Sequence, residues 1–147
     1  MLLKEIPIAS DHGGFEMKQF LIEKIKEAGY NVIDYGTDSL ESVDYPDYIH
    51  PIASDINKGK YELGIILCGS GNGAQMTANK YPNVRAALCW NEELAKLARQ
   101  HNGANIISLP GRFVSNDLAW EMVKIFLSTD FEGGRHIKRV EKINKIQ

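Results

Sequence analysis

One cysteine in this chain stands where chemistry is available to it. Cys68 opens the run Cys68-Gly69-Ser70-Gly71-Asn72-Gly73, directly after the apolar stretch Leu63 to Leu67. A thiolate between a strand and the start of a helix is favoured by the helix dipole and by converging backbone N–H groups. The same N–H groups can steady a developing oxyanion. A base and oxyanion donors in one loop are what removal of a proton beside a carbonyl requires. Other chemistries use such loops. Gly69-x-Gly71-x-x-Ala74 has the spacing of a dinucleotide turn, but the following strand ends Ala87-Leu88-Cys89-Trp90 with no acid for a ribose hydroxyl. A cysteine phosphatase would place an arginine where Ala74 stands, and a phosphate-binding Walker loop would need Gly-Lys-Ser/Thr. The plain structural alternative is an inert bend with Cys68 as a small buried hydrophobe.

Further groups could serve the same site. Asp11 and His12 precede two glycines and a helix, where an imidazolium could meet a phosphate or merely cap the helix. His101 and Asn102 close a helix ahead of Gly103, a place where a histidine also interacts with the dipole. Arg112 follows Pro110-Gly111. Arg135 and Arg139 are four apart, on one helical face beside His136, and could hold a phosphate or simply face solvent. His50 and Cys89 carry no assignment, and Cys89 reads as core.

These residues need a scaffold, and the apolar pattern supplies one. Strands are expected at Ile6–Ala9, Tyr30–Asp34, Leu63–Leu67, Arg85–Trp90 and Asn105–Leu109. Pro7 is awkward in the first, since it cannot donate to a ladder. Helices are expected at Phe15–Ala28, around Tyr48–Lys58, Gly73–Asn79, Glu92–His101 and up to Ser128 from a cap at Ser115 or Asn116. Leu94, Leu97 and Ala98 are expected to face inward on the fourth. A short basic tail helix follows from Gly134, with Ile137, Val140, Ile143 and Ile146 on one side. The alternation predicts an α/β fold: a three-layer, Rossmann-like arrangement with a five-stranded parallel sheet, helices on both faces and a C-terminal helix. Ligands of such sheets bind beyond the carboxyl ends of the strands, which singles out the loops at Asp11, Cys68 and Arg112.

With 147 residues, 44% hydrophobic and 24% charged, one domain over residues 1–147 is expected. A net charge of −2 without a basic stripe argues against a nucleic-acid partner. The apolar runs are too short for a membrane, and Met1 to Glu5 does not read as a leader. Two cysteines at strand positions suggest reduced thiols in the cytoplasm.

Five blocks, in order, carry a resemblance. They are Ser10-Asp11-His12-Gly13-Gly14-Phe15, Val43-Asp44-Tyr45-Pro46-Asp47, Cys68 to Gly73, Arg99-Gln100-His101-Asn102 and Glu132-Gly133-Gly134-Arg135-His136-x-x-Arg139-Val140. Together they resemble type B ribose-5-phosphate isomerase over essentially the whole chain. The resemblance implies interconversion of ribose 5-phosphate and ribulose 5-phosphate through an enediolate, with neither metal nor cofactor. It implies Cys68 as base, Ser70 as proton shuttle and the backbone from Gly69 through Gly71 and Asn72 to Gly73 around the enediolate. His101 would assist ring opening, with Asp11, Tyr45 and Asn102 on substrate hydroxyls or the ring oxygen. His12, Arg112, Arg135 and Arg139 would bind the phosphate. Some family members have glycine in place of Cys68 and a glutamate in place of Ala74, which leaves Cys68 as the base here. The resemblance also implies a homodimer or tetramer whose sites are shared between subunits. Two alternatives remain: a related isomerase of allose 6-phosphate or galactose 6-phosphate, and a non-catalytic nucleotide-binding module.

Overall fold

Five short apolar runs form one sheet: β1 (Glu5–Ser10), β2 (Asn31–Asp34), β3 (Gly64–Cys68), β4 (Ala86–Leu88) and β5 (Ile106–Pro110). Their order is β2-β1-β3-β5-β4, and every neighbouring pair is parallel. The connections hold α1 (Phe15–Glu27), α2 (Tyr45–Asn57), α3 (Asn72–Ala78), α4 (Glu92–Gln100) and α5 (Asn116–Ser128), with α6 (Ile137–Asn144) as the tail. Short 3-10 turns at His12–Gly14 and Gly134–His136 lead into α1 and α6. The computed structural model describes residues 4–146; Met1 to Leu3, read above for a leader, and Gln147 lie outside the described residues.

Side-chain alternation along the strands builds two cores. Ile6, Ile8, Ile65, Leu67, Ile107 and Leu109 face α1, α4 and α5, whose Leu21, Ala98 and Phe126 pack there. Ala9, Ile66, Cys68 and Ile106 face α2 and α3, against Ile49, Ile52, Ala74 and Ala78. The three expected layers result, and β3 is buried along its whole length, as its unbroken apolar run requires.

Pro7 fits because of pairing phase. Tyr35 N donates to Ile8 O and Ser10 N to Gly36 O, so the even-numbered residues of β1 bond β2. The nitrogen of Pro7 therefore faces β3, whose register with β1 begins only at Ile8. Three expectations are corrected. Helix α2 starts at Tyr45, not Tyr48, because Pro46 lies in its first turn, where a missing N–H costs nothing. Strand β4 is shorter than expected. Leu94 is 42% exposed and Ala95 takes its inward place on α4. Ser115 is the cap of α5, its Oγ accepting from Leu118 N.

Two polar ties fix the loop between β2 and α2. Lys18, wholly buried on α1, donates to Asp34 Oδ1 at 2.7 Å, and the same oxygen accepts from Gly36 N at 2.9 Å. The Tyr35 hydroxyl donates to Asp55 on α2; burial first and this bond second push that phenol above its ordinary range. Removing Asp34 strands the buried Lys18 charge, whereas removing Lys18 leaves an exposed carboxylate that water can solvate. Asp34→Ala should therefore cost about 3 kcal/mol and Lys18→Met distinctly less. Denaturant unfolding of both variants checks the order, and equal losses would contradict it.

Candidate active site

The order of strand addition reverses between β1 and β3: the chain steps outward from β1 to β2, then returns to the other side of β1. Ligands of open α/β sheets settle in the crevice at such a point. The loop after β1 and the loop after β3 flank it, and the loop after β5 closes it.

These loops touch backbone to backbone. Gly111 N donates to Cys68 O and Arg112 N to Gly69 O, both at 2.9 Å. A Cβ on Gly111 would lie 3.2 Å from Gly13 O and 3.3 Å from Cys68 O, tighter than ordinary contact, so a side chain there would have to push the three loops apart. The Arg112 guanidinium lies over two of them: a Cβ on Gly69 would meet Nη1 at 3.3 Å and one on Gly13 would meet Nη2 at 3.4 Å.

Within the loop after β3, Cys68 is 5% exposed at the strand end. Gly71 has φ +77° and caps α3, and its carbonyl accepts from the buried Ser108 hydroxyl at 2.7 Å. The left-handed turn swings the first N–H groups of α3 toward the crevice. Among the described residues, those of Gly71, Gly73 and Ala74 have no hydrogen-bond partner. The N–H of Asn72 does have one: it donates to Ser70 Oγ at 3.2 Å, which leaves the Ser70 hydroxyl proton free to donate elsewhere. Asn72 N is thus already engaged within the loop. Ala74 is fully buried and offers no acid or base.

Other expected residues join this end of the sheet. Asp11 is 7% exposed, and its carboxylate accepts from Gly14 N at 3.2 Å. His12 Nδ1 accepts from Val43 N at 3.1 Å, so its ring proton sits on Nε2. The ring can donate to an anion without being an imidazolium. The Tyr45 ring covers Gly73 so closely that a Cβ there would fall 2.4 Å from Cζ. A pocket of about 310 Å³ opens between His12, Gly13, Gly111 and Arg112, with Glu16, Met17, Leu40 and Asn116 completing its wall. The last four were not anticipated: Glu16, Leu40 and Asn116 read as surface or capping positions, and Met17 as part of the apolar face of α1.

The remaining expected residues lie elsewhere in the chain. Each crossover helix of a parallel sheet returns from the carboxyl edge to the amino edge. His101 and Asn102 follow the last residue of α4 and so reach the amino edge: Arg85, just ahead of β4, donates to Asn102 O at 3.2 Å. Asn105 O accepts from Gly64 N, level with the start of β3, and Cys68 is four residues further on, about 13 Å along the strand. Arg135 and Arg139 are exposed at that far edge. The His136 ring stacks on His101 with centroids 4.4 Å apart and planes 15° from parallel. Burial, then the His101 ring and the Arg135 cation, hold the His136 imidazole below its ordinary range, against the pull of Glu132. A larger cavity, about 490 Å³, runs along β4 past Arg85 and Ile143; of the expected site residues it takes in only Asn102.

A model of the ribose/galactose isomerase family matches residues 6–143. The chain belongs to that family. It is 39% identical to ribose-5-phosphate isomerase B of Escherichia coli over 145 residues, covering 99% of this chain and 97% of that protein. The crystal structure of a ribose 5-phosphate isomerase from Thermotoga maritima superposes with a TM-score of 0.95 at 47% identity, covering 97% of this chain and 99% of that one. Ribose-5-phosphate isomerase B of Mycoplasma genitalium, solved with bound ribulose-5-phosphate, is 41% identical with a TM-score of 0.93, covering 98% and 96%. The three-layer fold with its five parallel strands is that of these proteins.

The left-handed turn at Gly71 has a measurable consequence. A Cβ there would lie 2.5 Å from Leu88 Cδ1 as well as forcing a side chain into positive φ. Gly71→Ala should lower stability by about 2 kcal/mol. A melting temperature equal to that of the unaltered protein would mean the turn is not strained by a side chain.

Proposed function

We propose that this chain interconverts ribose 5-phosphate and ribulose 5-phosphate, with Cys68 as the base. The observation that carries the reading is the gathering, at the carboxyl edge of the sheet, of a thiol at a strand end, unpaired N–H groups beside it and a pocket lined by His12 and Arg112. The thiolate takes the proton from carbon 2 of the open-chain aldose, and the electron pair moves into an enediolate. The N–H groups of Gly71, Gly73 and Ala74 receive the negative oxygen. Ser70 moves the proton between the oxygens of carbons 1 and 2, and Cys68 returns its proton to carbon 1. No atom is gained or lost. His12 Nε2 and the guanidinium forks of Arg112, Arg135 and Arg139 hold the phosphate. Asp11, Tyr45 and Asn102 serve the hydroxyls and the ring oxygen, and His101 assists ring opening.

Four groups in this scheme, His101, Asn102, Arg135 and Arg139, cannot reach Cys68 of their own chain. We therefore infer a homodimer in which a second copy brings them. A two-fold contact is self-complementary, so pairing the carboxyl edge of one copy with the amino edge of the other builds two equal sites. Exposed apolar side chains mark both edges. Trp90 and Phe113 meet at the carboxyl edge with centroids 5.6 Å apart and planes tilted by 45°, and Ile137 and Ile143 are 47% and 56% exposed on the tail helix. A cytoplasmic setting suits the thiols. Burial pushes Cys89 up to about 12, so that thiol stays protonated and inert. Among the described residues no helix is long and apolar enough to cross a membrane.

Cys68→Ala should slow turnover of ribose 5-phosphate by about 10³-fold while calorimetry shows the sugar phosphate still bound. A variant that keeps most of its rate would remove the thiol from the base role. Running allose 6-phosphate beside ribose 5-phosphate decides between a pentose and a hexose substrate.

A further inference from the structure

At the amino edge, His101, Glu132 and His136 bring one ligand atom each to within 4.8 Å of one another. Three separate segments meet there: the end of α4, the loop after α5 and the 3-10 turn before α6. Glu132 N donates to Gln100 O at 3.0 Å, which holds the loop to the helix end. His136 Nε2 lies 3.7 Å from Glu132 Oε1. That gap is too long for a hydrogen bond. It is close to the roughly 3.4 Å between two donors that share a tetrahedral ion with bonds of about 2.1 Å.

We propose that His101, Glu132 and His136 form a site for Zn²⁺, and that its occupation inhibits the enzyme by withdrawing His101 from the reaction. Two imidazoles and a carboxylate are a zinc donor set with a fourth position left for water. Hard cations such as Mg²⁺ want oxygen ligands, so the set selects against them. Each imidazole gives a neutral lone pair and Glu132 offsets one positive charge, while Arg135 and Arg139 nearby oppose the ion and keep the affinity moderate. The stacked rings place the two in-plane lone pairs side by side instead of convergent. His136 is only 6% exposed and stays in place. His101 is half-buried at a helix end and Glu132 is exposed, so these two turn toward the ion. Turning breaks the stack and takes His101 from the position assigned to ring opening; this inhibitory consequence rests on the proposed function, the binding itself does not.

The test starts with chelator-stripped Cys68→Ala protein, which removes the crevice thiol as a competing ligand. Calorimetric titration with ZnCl₂ should show one ion per chain, and adding Glu132→Gln should weaken binding on the order of a hundredfold. Imidazole resonances of His101 and His136 should shift on zinc addition, and those of His12 and His50 should not. With the thiol restored, Zn²⁺ should inhibit ribose 5-phosphate turnover. The Glu132→Gln enzyme, unchanged in rate without metal, should resist it. No binding, binding indifferent to Glu132→Gln, or zinc seated at His12 or His50 would overturn the site. Zinc held at these three groups without loss of turnover would overturn the inhibitory role and, with it, the part given to His101.

Discussion

All five strands run the same way, and that polarity governs everything else in the molecule. Each strand ends at one edge of the sheet and each helix carries the chain back to the other. Residues just after strands therefore gather at the carboxyl edge, and residues just after helices gather at the amino edge. Asp11, Cys68 and Arg112 belong to the first set, His101 and Arg135 to the second. Nothing within a single domain of this topology brings the two sets together. A site that uses both must be assembled from two copies, and its assembly becomes part of its chemistry.

The carboxyl-edge half is itself rigid for a backbone reason. Loops after β1, β3 and β5 approach so closely that a Cβ on Gly111 would crowd the carbonyls of Gly13 and Cys68, and two backbone hydrogen bonds join the last pair. Such contact leaves the Cys68 thiol and the first N–H groups of α3 with little freedom of position. Preorganised donors of this kind act without reorganising during reaction, which is where electrostatic stabilisation is most effective. The amino-edge half is looser. Arg135 and Arg139 are exposed, and the His101–His136 stack rests on a 3-10 turn and a short tail helix.

Much of this was legible in the residues. The unbroken apolar run of β3 specified a buried strand, and that is what Gly64–Cys68 forms. The spacing of helix and strand patterns specified the layers. Legibility failed where tertiary partners decide. Leu94 looked inward by periodicity, yet Ala95 fits the narrower gap between α4 and the sheet. The capture of Asn72 N by Ser70 Oγ, and of Gly71 O by Ser108, depend on a turn whose angles no residue type alone dictates. Glu16 and Asn116 gained their place beside the pocket of His12 and Arg112 only through the packing of α1 and α5 near the loop after β5. The separation of His101 from Cys68, by contrast, follows from strand polarity, which the alternating pattern already implied: a residue that ends a helix lies at the opposite edge from one that ends a strand.

The central claim is that a working site takes its base from one copy and its ring-opening and arginine groups from another. Its most direct test is complementation between two inactive chains, one carrying Cys68→Ala and the other carrying both His101→Ala and Arg139→Ala. Co-expressed with different tags, they should form mixed dimers in which one of the two sites is intact, restoring about a quarter of the normal rate in a random mixture. Mixed dimers as inactive as their parents would contradict the claim.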